Sequence, residues 1–383
     1  MADELKKGLE GVLVAESALS SIDGETGTLR YRGYDIEDLA AGASYEEVLS
    51  LLWEGDLPTA TDLADFEAAM RAERGVDPAC IETLRSLAAA GEDPMAALRT
   101  ATSMLSAEEP EADAEPTDLA AAARKGRRIT AKMPTVVAAY DRLRDGEEPI
   151  EPREDLSHAA NFLYMLHGEE PDSVAAETFD MALILHADHG FNASTFTAMV
   201  VASTLADVYS AVTAGVGALS GPLHGGANQD VVRTLLEIDE SDRDPREWVA
   251  AAIEEGRRIP GWGHRVYEVK DPRARILQAK LEDLAETSGE RTWLEYTTTL
   301  ESYLTEEVGL PERGIAPNVD FYSGAVYHQL GIPIDLYTPI FAMSRVGGWI
   351  GHVLEYQEDN RLIRPRARYV GPTEQEFVPI EER

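Results

Sequence analysis

Two histidines stand in glycine- and proline-rich segments, where a side chain can meet a ligand instead of filling a core. His224 lies within "GPLHGGANQDV" (221–231), and His264 ends "PGWGH" (260–264). Glycines let the backbone pass close to a bound molecule, and the first N–H groups of a helix are free to face outward. We expect Asn228 to cap the helix after His224; the alternative reading is a helix-linking turn with a surface histidine.

Two arginines occupy positions that favour a bound anion. Arg273 follows Asp271 and Pro272 in the first turn of a predicted helix, where a cation opposes the helix dipole unless an anion is present. Arg345 lies inside the apolar helix "IFAMSRVGGWIGHV", and a buried guanidinium needs an anion from the protein or from a ligand. The alternative for Arg273 is a salt bridge to one of the many carboxylates of the chain.

Asp320 is the candidate general base. It stands between Val319 and the aromatic pair Phe321 and Tyr322, in "NVDFYSG". Apolar surroundings desolvate a carboxylate and raise its pKa toward a useful range. The alternative is an N-cap for the helix that follows, because Asp is a preferred cap residue.

His186 and His189 have the i, i+3 spacing of one helix face in "LILHADHGFNAST". A metal pair is conceivable, but the sequence signals no third ligand. We therefore expect core or substrate-binding histidines and no metal site.

The elements that must position these residues are mainly helical, and we predict an all-α fold. Ser44 and Glu47 form a capping-box pattern, and Asp271 with Pro272 is a helix start. Thr338 with Pro339 repeats that pattern. "TLRYRGY" (28–34) is one candidate for a small β-ribbon.

The charge of the chain excludes two classes of partner. Its 70 acidic and 34 basic residues give a net charge of −36 over 383 residues. Such a field repels nucleic acid and anionic membranes. Only six of the basic residues are lysines, and this composition suits a cytosol of molar salt, where the Debye length is ~3 Å.

The same sequence predicts a cytoplasmic setting. Cys80 is the single cysteine, which argues for a reducing compartment, and the first residues show no apolar signal core. The apolar run at 193–219 carries Asp207 and many small residues. It predicts a buried helix pair or a subunit interface, and not a membrane span.

Five segments, in order, resemble the motifs of the citrate synthase family: "GPLHGGAN", "PGWGHRVYEVKDPR", "NVDFYSG", "SRVGGWIGH" and "RLIRPRARYVGP". The resemblance begins near "RYRGYDIEDLA" and so covers nearly the whole chain. It implies a homodimer of the short branch, with a large domain at 1–224 and 325–383 and a small mobile domain at 225–324. The implied reaction condenses acetyl-CoA with oxaloacetate to citryl-CoA and hydrolyses it to citrate and CoA, without a metal or an organic cofactor.

The resemblance also implies roles for the candidate residues. Asp320 matches the base that deprotonates the acetyl methyl group, His224 the group that stabilises the enolate, and His264 the group that polarises the ketone. The oxaloacetate carboxylates would be held by His189, Arg273 and Arg345, with Arg364 reaching the neighbouring subunit's site. Arg265 and Lys270 are candidate CoA phosphate partners through their proximity to His264 alone.

Two other functions stay open on the sequence. A 2-methylcitrate synthase would use propionyl-CoA with the same residues, since one methylene alters pocket binding by only ~1–3 kcal/mol. An inactive helical ligand-binding homologue is the other alternative, although a pure binder has no use for a base at Asp320.

Overall fold

A computed structural model describes residues 5–241 and 243–383. Helices make up 61% and strands 3% of it, which confirms the all-α prediction. Its α-helices are α1 (Ile36–Gly42), α2 (Tyr45–Glu54), α3 (Ala60–Ala72), α4 (Pro78–Ala89), α5 (Pro94–Met104), α6 (Leu119–Arg144), α7 (His158–His167), α8 (Ser173–His186), α9 (Ala193–Ala202), α10 (Val208–Leu219), α11 (Ala227–Glu240), α12 (Pro245–Glu254), α13 (Pro272–Ser288), α14 (Thr292–Ser302), α15 (Val319–Gln329) and α16 (Tyr337–Glu358).

A three-stranded antiparallel sheet precedes the helices. Its strands are β1 (Ser20–Asp23), β2 (Thr28–Tyr31) and β3 (Tyr34–Asp35), in that spatial order. The predicted ribbon at 28–34 is therefore confirmed, with β1 as an additional strand that places Ser20 opposite Tyr31. The side chains of Leu29 and Tyr31 point to the core and are fully buried.

Helix α16 runs through the centre of the main core. It is buried on all sides from Tyr337 to Leu354, as expected for a helix that is apolar around its whole circumference. Helices α2, α6, α8, α9 and α10 contact it. Trp349, the largest fully buried side chain, lies on α16 against Gly215 of α10.

The apolar run at 193–219 forms α9 and α10, which pack closely on each other. The predicted pairing of the two helices is confirmed, but each keeps a partly exposed face, with Ala193 and Ser210 exposed, so the alternative of a subunit interface stays a prediction. Throughout 5–241 and 243–383, every helix is too short or too polar to cross a membrane.

Helix starts agree with the sequence in two cases. Ser44 accepts a hydrogen bond from the Glu47 backbone at the start of α2. Asp271 accepts one from the Arg273 backbone, with Pro272 at the first position of α13. Each cap satisfies an N–H group that has no partner within the helix.

Two predicted helix starts are wrong. Helix α11 begins at Ala227 after Gly226 in the left-handed conformation, so Asn228 lies inside the first turn and is buried. Thr338 is not a cap because a 3₁₀ turn, Ile334–Leu336, leads directly into α16 at Tyr337. In both cases the backbone before the helix, left-handed at Gly226 and a 3₁₀ turn at Ile334–Leu336, determines the residue at which the helix begins.

Helices α11 to α15 pack mainly on one another. Helix α13 also contacts α1 and α8, and α11 also contacts α16. The loops that carry the predicted chemistry lie where these two groups of helices meet.

Candidate active site

His224 lies in the turn between α10 and α11. Its Nε2 is 3.2 Å from the Ser194 backbone nitrogen and 2.7 Å from Ser194 Oγ. A backbone N–H can only donate, so Nε2 accepts and the neutral ring carries its proton on Nδ1. Burial, aided by the charge of Arg345, lowers the pKa of His224 to about 4. His224 is therefore a neutral imidazole that donates through Nδ1 at physiological pH.

His264 has the opposite tautomer. Its Nδ1 accepts hydrogen bonds from the backbone N–H groups of Val266 at 3.0 Å and Tyr267 at 3.1 Å. The proton of the neutral ring is thus on Nε2. Burial, aided by the charge of Arg273, lowers the pKa of His264 to about 4. The two histidines are neutral donors that use different ring nitrogens.

Asp320 is in the first turn of α15 and is not its cap. Asn318 Oδ1 accepts the Asp320 N–H at 3.0 Å, so the alternative reading of Asp320 as an N-cap is wrong. Burial raises the pKa of Asp320 to about 6, against the lowering effect of Arg273. A carboxyl group with such a pKa is ionised at neutral pH and is still basic enough to accept a proton.

Backbone contacts join the Asp320 segment to the His264 loop. The Asn318 N–H donates to Gly261 O, and its side-chain amide donates to Gly263 O, both at 2.9 Å. Gly261 has φ = +77°, and a Cβ there would be 2.8 Å from the Phe321 Cα. Only glycine fits this approach, which explains the glycine between Pro260 and Trp262 in the motif.

Arg273 and Arg345 are both buried at this junction, each only 2% exposed. Arg273 donates from Nε and Nη2 to the carboxylate of Asp271. It thus forms the salt bridge that the sequence offered as the alternative to a bound anion. Arg345 donates from Nε to His186 O at 2.8 Å, and its guanidinium forms no ion pair within 5–241 and 243–383. The Asp188 carboxylate acts on Arg345 at longer range. A buried guanidinium without a direct ion pair is a ready site for an anionic ligand.

His189 and His186 have different environments, although the sequence places them on one helix face. Helix α8 ends at His186, whose Nδ1 is 2.7 Å from Ala182 O within the core. His189 lies in the following loop with its ring centroid 5.3 Å from that of His264. Within the described chain, no group of three or more His, Cys, Asp or Glu side chains is arranged to hold a metal ion.

Sequence reasoning missed Tyr267. Its hydroxyl is 3.3 Å from His189 Nε2, its ring is 4.9 Å from that of His264, and the Arg273 guanidinium lies 6.0 Å above it. Tyr267 therefore links three predicted site residues. The sequence could have indicated Tyr267, because it lies within the motif that carries His264, directly before "EVK".

Ser194 and Trp349 were also missed. The Trp349 indole donates from Nε1 to Ser194 Oγ at 3.1 Å, and Ser194 contacts His224 as described above. No local pattern marks Ser194, because the helix start that carries it is 30 residues from His224.

Three predicted ligand-binding residues are not part of this cluster in the single chain. Arg364 is exposed in the extended segment after α16, and Arg265 is exposed beside His264. Lys270 donates to Gln278 at 2.6 Å and to both carboxylate oxygens of Glu301.

A cavity of about 780 Å³ opens beside His224. Its lining includes Gly261, Trp262 and Asn318 of the joined loops, together with the start of α11. Arg233 and Arg258 also line it. Sequence reasoning did not select these two arginines. Arg233 is paired with Asp230, which also lines the cavity, whereas Arg258 forms no ion pair with a described residue.

The site and the fold together indicate the class of enzyme to which the chain belongs. An almost all-helical chain brings an ionisable carboxylate of raised pKa, two neutral imidazole donors and a buried guanidinium to the junction of two groups of helices, and one of the imidazoles, His224, lines a large cavity. Such a set suits proton abstraction next to a carbonyl in an anionic substrate.

The chain belongs to the citrate synthase family. The family model described as citrate synthase, C-terminal domain, matches residues 8–366. The citrate synthase of Haloferax volcanii is 60% identical over 384 residues, with all of both chains covered. A 2-methylcitrate synthase of Mycobacterium tuberculosis is 43% identical, with 98% of this chain and 93% of that protein covered.

The structural comparison agrees. A ternary complex of carboxymethyl coenzyme A and oxaloacetate with citrate synthase from Thermoplasma acidophilum superposes with a TM-score of 0.89. That chain is 36% identical, and the match covers 99% of this chain and 100% of that one. The chain is thus an acyl-transferring enzyme of the citrate synthase type.

Proposed function

We propose that this enzyme condenses acetyl-CoA with oxaloacetate to citryl-CoA and hydrolyses the thioester to citrate and CoA. The observation that carries this proposal is the presence of Asp320, with its raised pKa, together with two neutral imidazoles of opposite tautomer. The reaction needs one base and two hydrogen-bond donors, because negative charge develops first on the thioester oxygen and then on the ketone oxygen.

The condensation assigns one step to each group. Asp320 removes a proton from the acetyl methyl group while His224 Nδ1–H donates to the thioester oxygen. The resulting carbon nucleophile attacks the ketone carbon of oxaloacetate, and His264 Nε2–H stabilises the oxygen that becomes the citrate hydroxyl. Water then cleaves the thioester and releases CoA.

Arg273, Arg345 and His189 are proposed to hold the oxaloacetate carboxylates. The unpaired Arg345 guanidinium supplies the charge, and the Arg273–Asp271 pair fixes the orientation of a second guanidinium. Several fixed donors orient a dicarboxylate so that its ketone faces one histidine.

The cavity beside His224 is proposed to take CoA. Arg258 on its wall is better placed for the phosphates than Lys270, whose ammonium is already paired with Glu301, or Arg233, which is paired with Asp230. Arg265 stays a candidate from the sequence. The proposed reaction uses no metal and no organic cofactor, since acetyl-CoA is a co-substrate.

We also propose that the enzyme is a homodimer with two domains in each subunit. Helices α11 to α15 pack mainly on one another, which supports a small domain near 225–324 against a large domain at 1–224 and 325–383. The exposed position of Arg364 is compatible with a role in the neighbouring subunit's site. We further propose that the enzyme works in a salt-rich cytoplasm, in the tricarboxylic acid cycle.

Parallel kinetics with acetyl-CoA and propionyl-CoA test the acyl preference. We expect a higher kcat/KM with acetyl-CoA; a clear preference for propionyl-CoA would favour 2-methylcitrate synthase, which the Mycobacterium relative makes a specific alternative. Oxaloacetate-dependent release of a free thiol distinguishes either enzyme from an inactive ligand-binding homologue. No release with a folded protein would refute the proposed function.

A further inference from the structure

The loop that carries His189 is joined to α16 by a ladder of three contacts. Arg345 donates to His186 O at 2.8 Å, and the Gly348 N–H donates to Ala187 O at 3.0 Å. One turn further on, His352 Nε2 lies 3.1 Å from Asp188 Oδ1. Positions 345, 348 and 352 lie on one face of α16, so successive turns of this helix hold three successive residues of the loop.

Gly348 allows the close approach within the ladder. A Cβ at this position would overlap both Ala187 O and Asp188 Oδ1. Any larger residue must therefore displace the loop or α16. This steric requirement explains why the second glycine of "SRVGGWIGH", Gly348, has no side chain.

Asp188 and His352 are buried polar groups that the proposed mechanism does not use directly. Asp188 is 0% and His352 is 1% exposed. Burial alone would raise the pKa of Asp188, but the neighbouring His352, the charge of Arg345 and the hydrogen bond from Ser20 hold it at about 2. The Asp188 carboxylate therefore stays ionised, and the contacts around it must satisfy its charge.

The sheet holds the same residue from the opposite side. Ser20 of β1 donates to Asp188 Oδ2 at 2.5 Å, and the Gly190 N–H donates to that oxygen at 3.0 Å. Tyr31 of β2 donates to Asp188 O at 2.9 Å and receives the Asp188 N–H at 3.2 Å. Every polar group of Asp188 is thus fixed, and the next residue is His189.

We propose that the Asp188–His352 pair is a positioning device of the active site. It holds His189 and Arg345 at a fixed separation and so sets the oxaloacetate-binding end of the site, without touching the substrate itself. This inference rests on the proposed function, because it concerns binding of the oxaloacetate carboxylates. Small displacements of orienting groups lower affinity and rate strongly.

Substitution of His352 by Leu, Asn and Gln tests the device. Gln places its amide nitrogen where His Nε2 lies, whereas Asn mimics Nδ1 and does not reach Asp188, and Leu removes the donor. We expect H352L and H352N to raise the KM and the calorimetric Kd for oxaloacetate by ~10-fold or more. H352Q should stay near the parent, and the KM for acetyl-CoA should change little in all three.

Tyr31→Phe is a milder second variant in case the His352 variants fail to fold. It removes one hydroxyl and should weaken oxaloacetate binding in the same direction. Tyr140→Phe is its matched control, since Tyr140 is a buried tyrosine whose hydroxyl also donates to a backbone oxygen, that of Glu92, and makes no contact with Asp188. Y140F should leave the KM for oxaloacetate unchanged.

The outcomes separate this inference from the proposed function. If the parent turns over and the folded variants bind oxaloacetate with parental affinity, the positioning role is refuted and the proposed function stands. A uniform loss of activity with unchanged KM, or equal behaviour of H352Q and H352N, would also overturn it. If the parent neither binds oxaloacetate nor releases thiol, the proposed function itself fails.

Discussion

At the scale of single residues, the burial of Asp320 makes it a suitable general base and also lowers the stability of the fold at neutral pH. A carboxyl group whose pKa is raised to about 6 in the folded protein binds more protons than the unfolded chain between pH ~4 and 6. Folding stability from this group is therefore present at low pH and is lost as the pH rises through that window. The enzyme carries an ionised, desolvated base at neutral pH, as active sites commonly do.

Asp320→Asn should separate these two effects. The amide keeps the shape but cannot accept the methyl proton, so condensation should fall by at least ~10²-fold with oxaloacetate affinity retained. The melting temperature at pH 7 should rise, because the buried charge is gone. Steady-state kinetics, calorimetry and thermal melts measure the three quantities. A folded variant that turns over near the parental rate would contradict the assignment of the base.

The pH profile should report the same residue. The pKa values of His224 and His264 are lowered to about 4, so both imidazoles stay neutral across the range where Asp320 titrates. We expect kcat/KM for acetyl-CoA to fall about tenfold per pH unit well below pH 6, with a single apparent pKa near 6. Asp320→Asn should abolish this inflection in its residual activity. A flat profile between pH 5 and 7 would be inconsistent with the mechanism.

At the scale of the elements, two carboxyl groups join α2 to its neighbours, Glu46 to α7 and Asp180 to α8. Glu46 Oε1 accepts the His158 N–H and Asp180 Oδ2 accepts the Tyr45 N–H. The remaining oxygens, Glu46 Oε2 and Asp180 Oδ1, are buried without a partner. Burial raises the pKa of both groups, and the charge of Glu46 raises that of Asp180 further, while Arg74 opposes the shift at Glu46. Each group therefore keeps its proton to a higher pH than an exposed carboxyl group does.

Asp180→Asn should therefore stabilise the α2–α8 contact at high pH. The raised pKa values mean that stability is lost as the pH rises above ~4, and an amide supplies an uncharged donor. We expect a gain of ~1–3 kcal/mol at pH 8 that shrinks toward pH 4, the scale of one buried unsatisfied polar group. Urea unfolding in constant molar KCl, at fixed protein concentration, measures it.

Glu177→Gln is the control for that change, because Glu177 is an exposed residue of α8. It removes the same charge from the same helix but should not reproduce the gain. Equal stabilisation by both variants would show that general charge reduction, and not the buried pair, is responsible.

At the scale of the whole molecule, the net charge of −36 is spread along the chain. Part of the acidic segment at 108–118 is neutralised locally, since Glu109 and Glu111 form ion pairs with Arg124 and Arg128. The charges that have no such partner repel one another, and salt screens that repulsion.

Thermal stability should accordingly rise from dilute buffer to molar KCl. Screening acts on all charges, but the large excess of carboxylates makes the reduction of repulsion the dominant effect. Tetramethylammonium chloride at equal ionic strength distinguishes screening from specific binding of K⁺. A melting temperature that does not depend on KCl would refute the proposed adaptation to salt.

Arg364 allows a test of the proposed dimer. If it serves the neighbouring site, Arg364→Ala should weaken oxaloacetate binding without dissociating the dimer. Mixing R364A with D320N subunits creates one site with both lesions and one with neither, so activity should reappear in the heterodimer. Verified heterodimers that recover no activity would exclude a shared site.

The sequence by itself determined the fold class, the helix start at Asp271 and the set of residue types at the site. These follow from local signals: hydrophobic periodicity, capping residues, and histidines framed by Gly and Pro within a few positions. The five ordered motifs identified the family because each motif is contiguous along the chain. Even so, local patterns misplaced the starts of α11 and α16, where the preceding backbone sets the conformation.

The tertiary structure alone decided which protonation states and partners these residues have. The tautomer of His224 depends on Ser194, 30 residues away, and the contact of His352 with Asp188 spans 164 residues. The desolvation that raises the pKa of Asp320 and lowers that of the two histidines arises only when the two groups of helices meet. Contacts between distant segments carry no local periodicity, so a sequence can supply the residues of this site but not the geometry that makes them reactive.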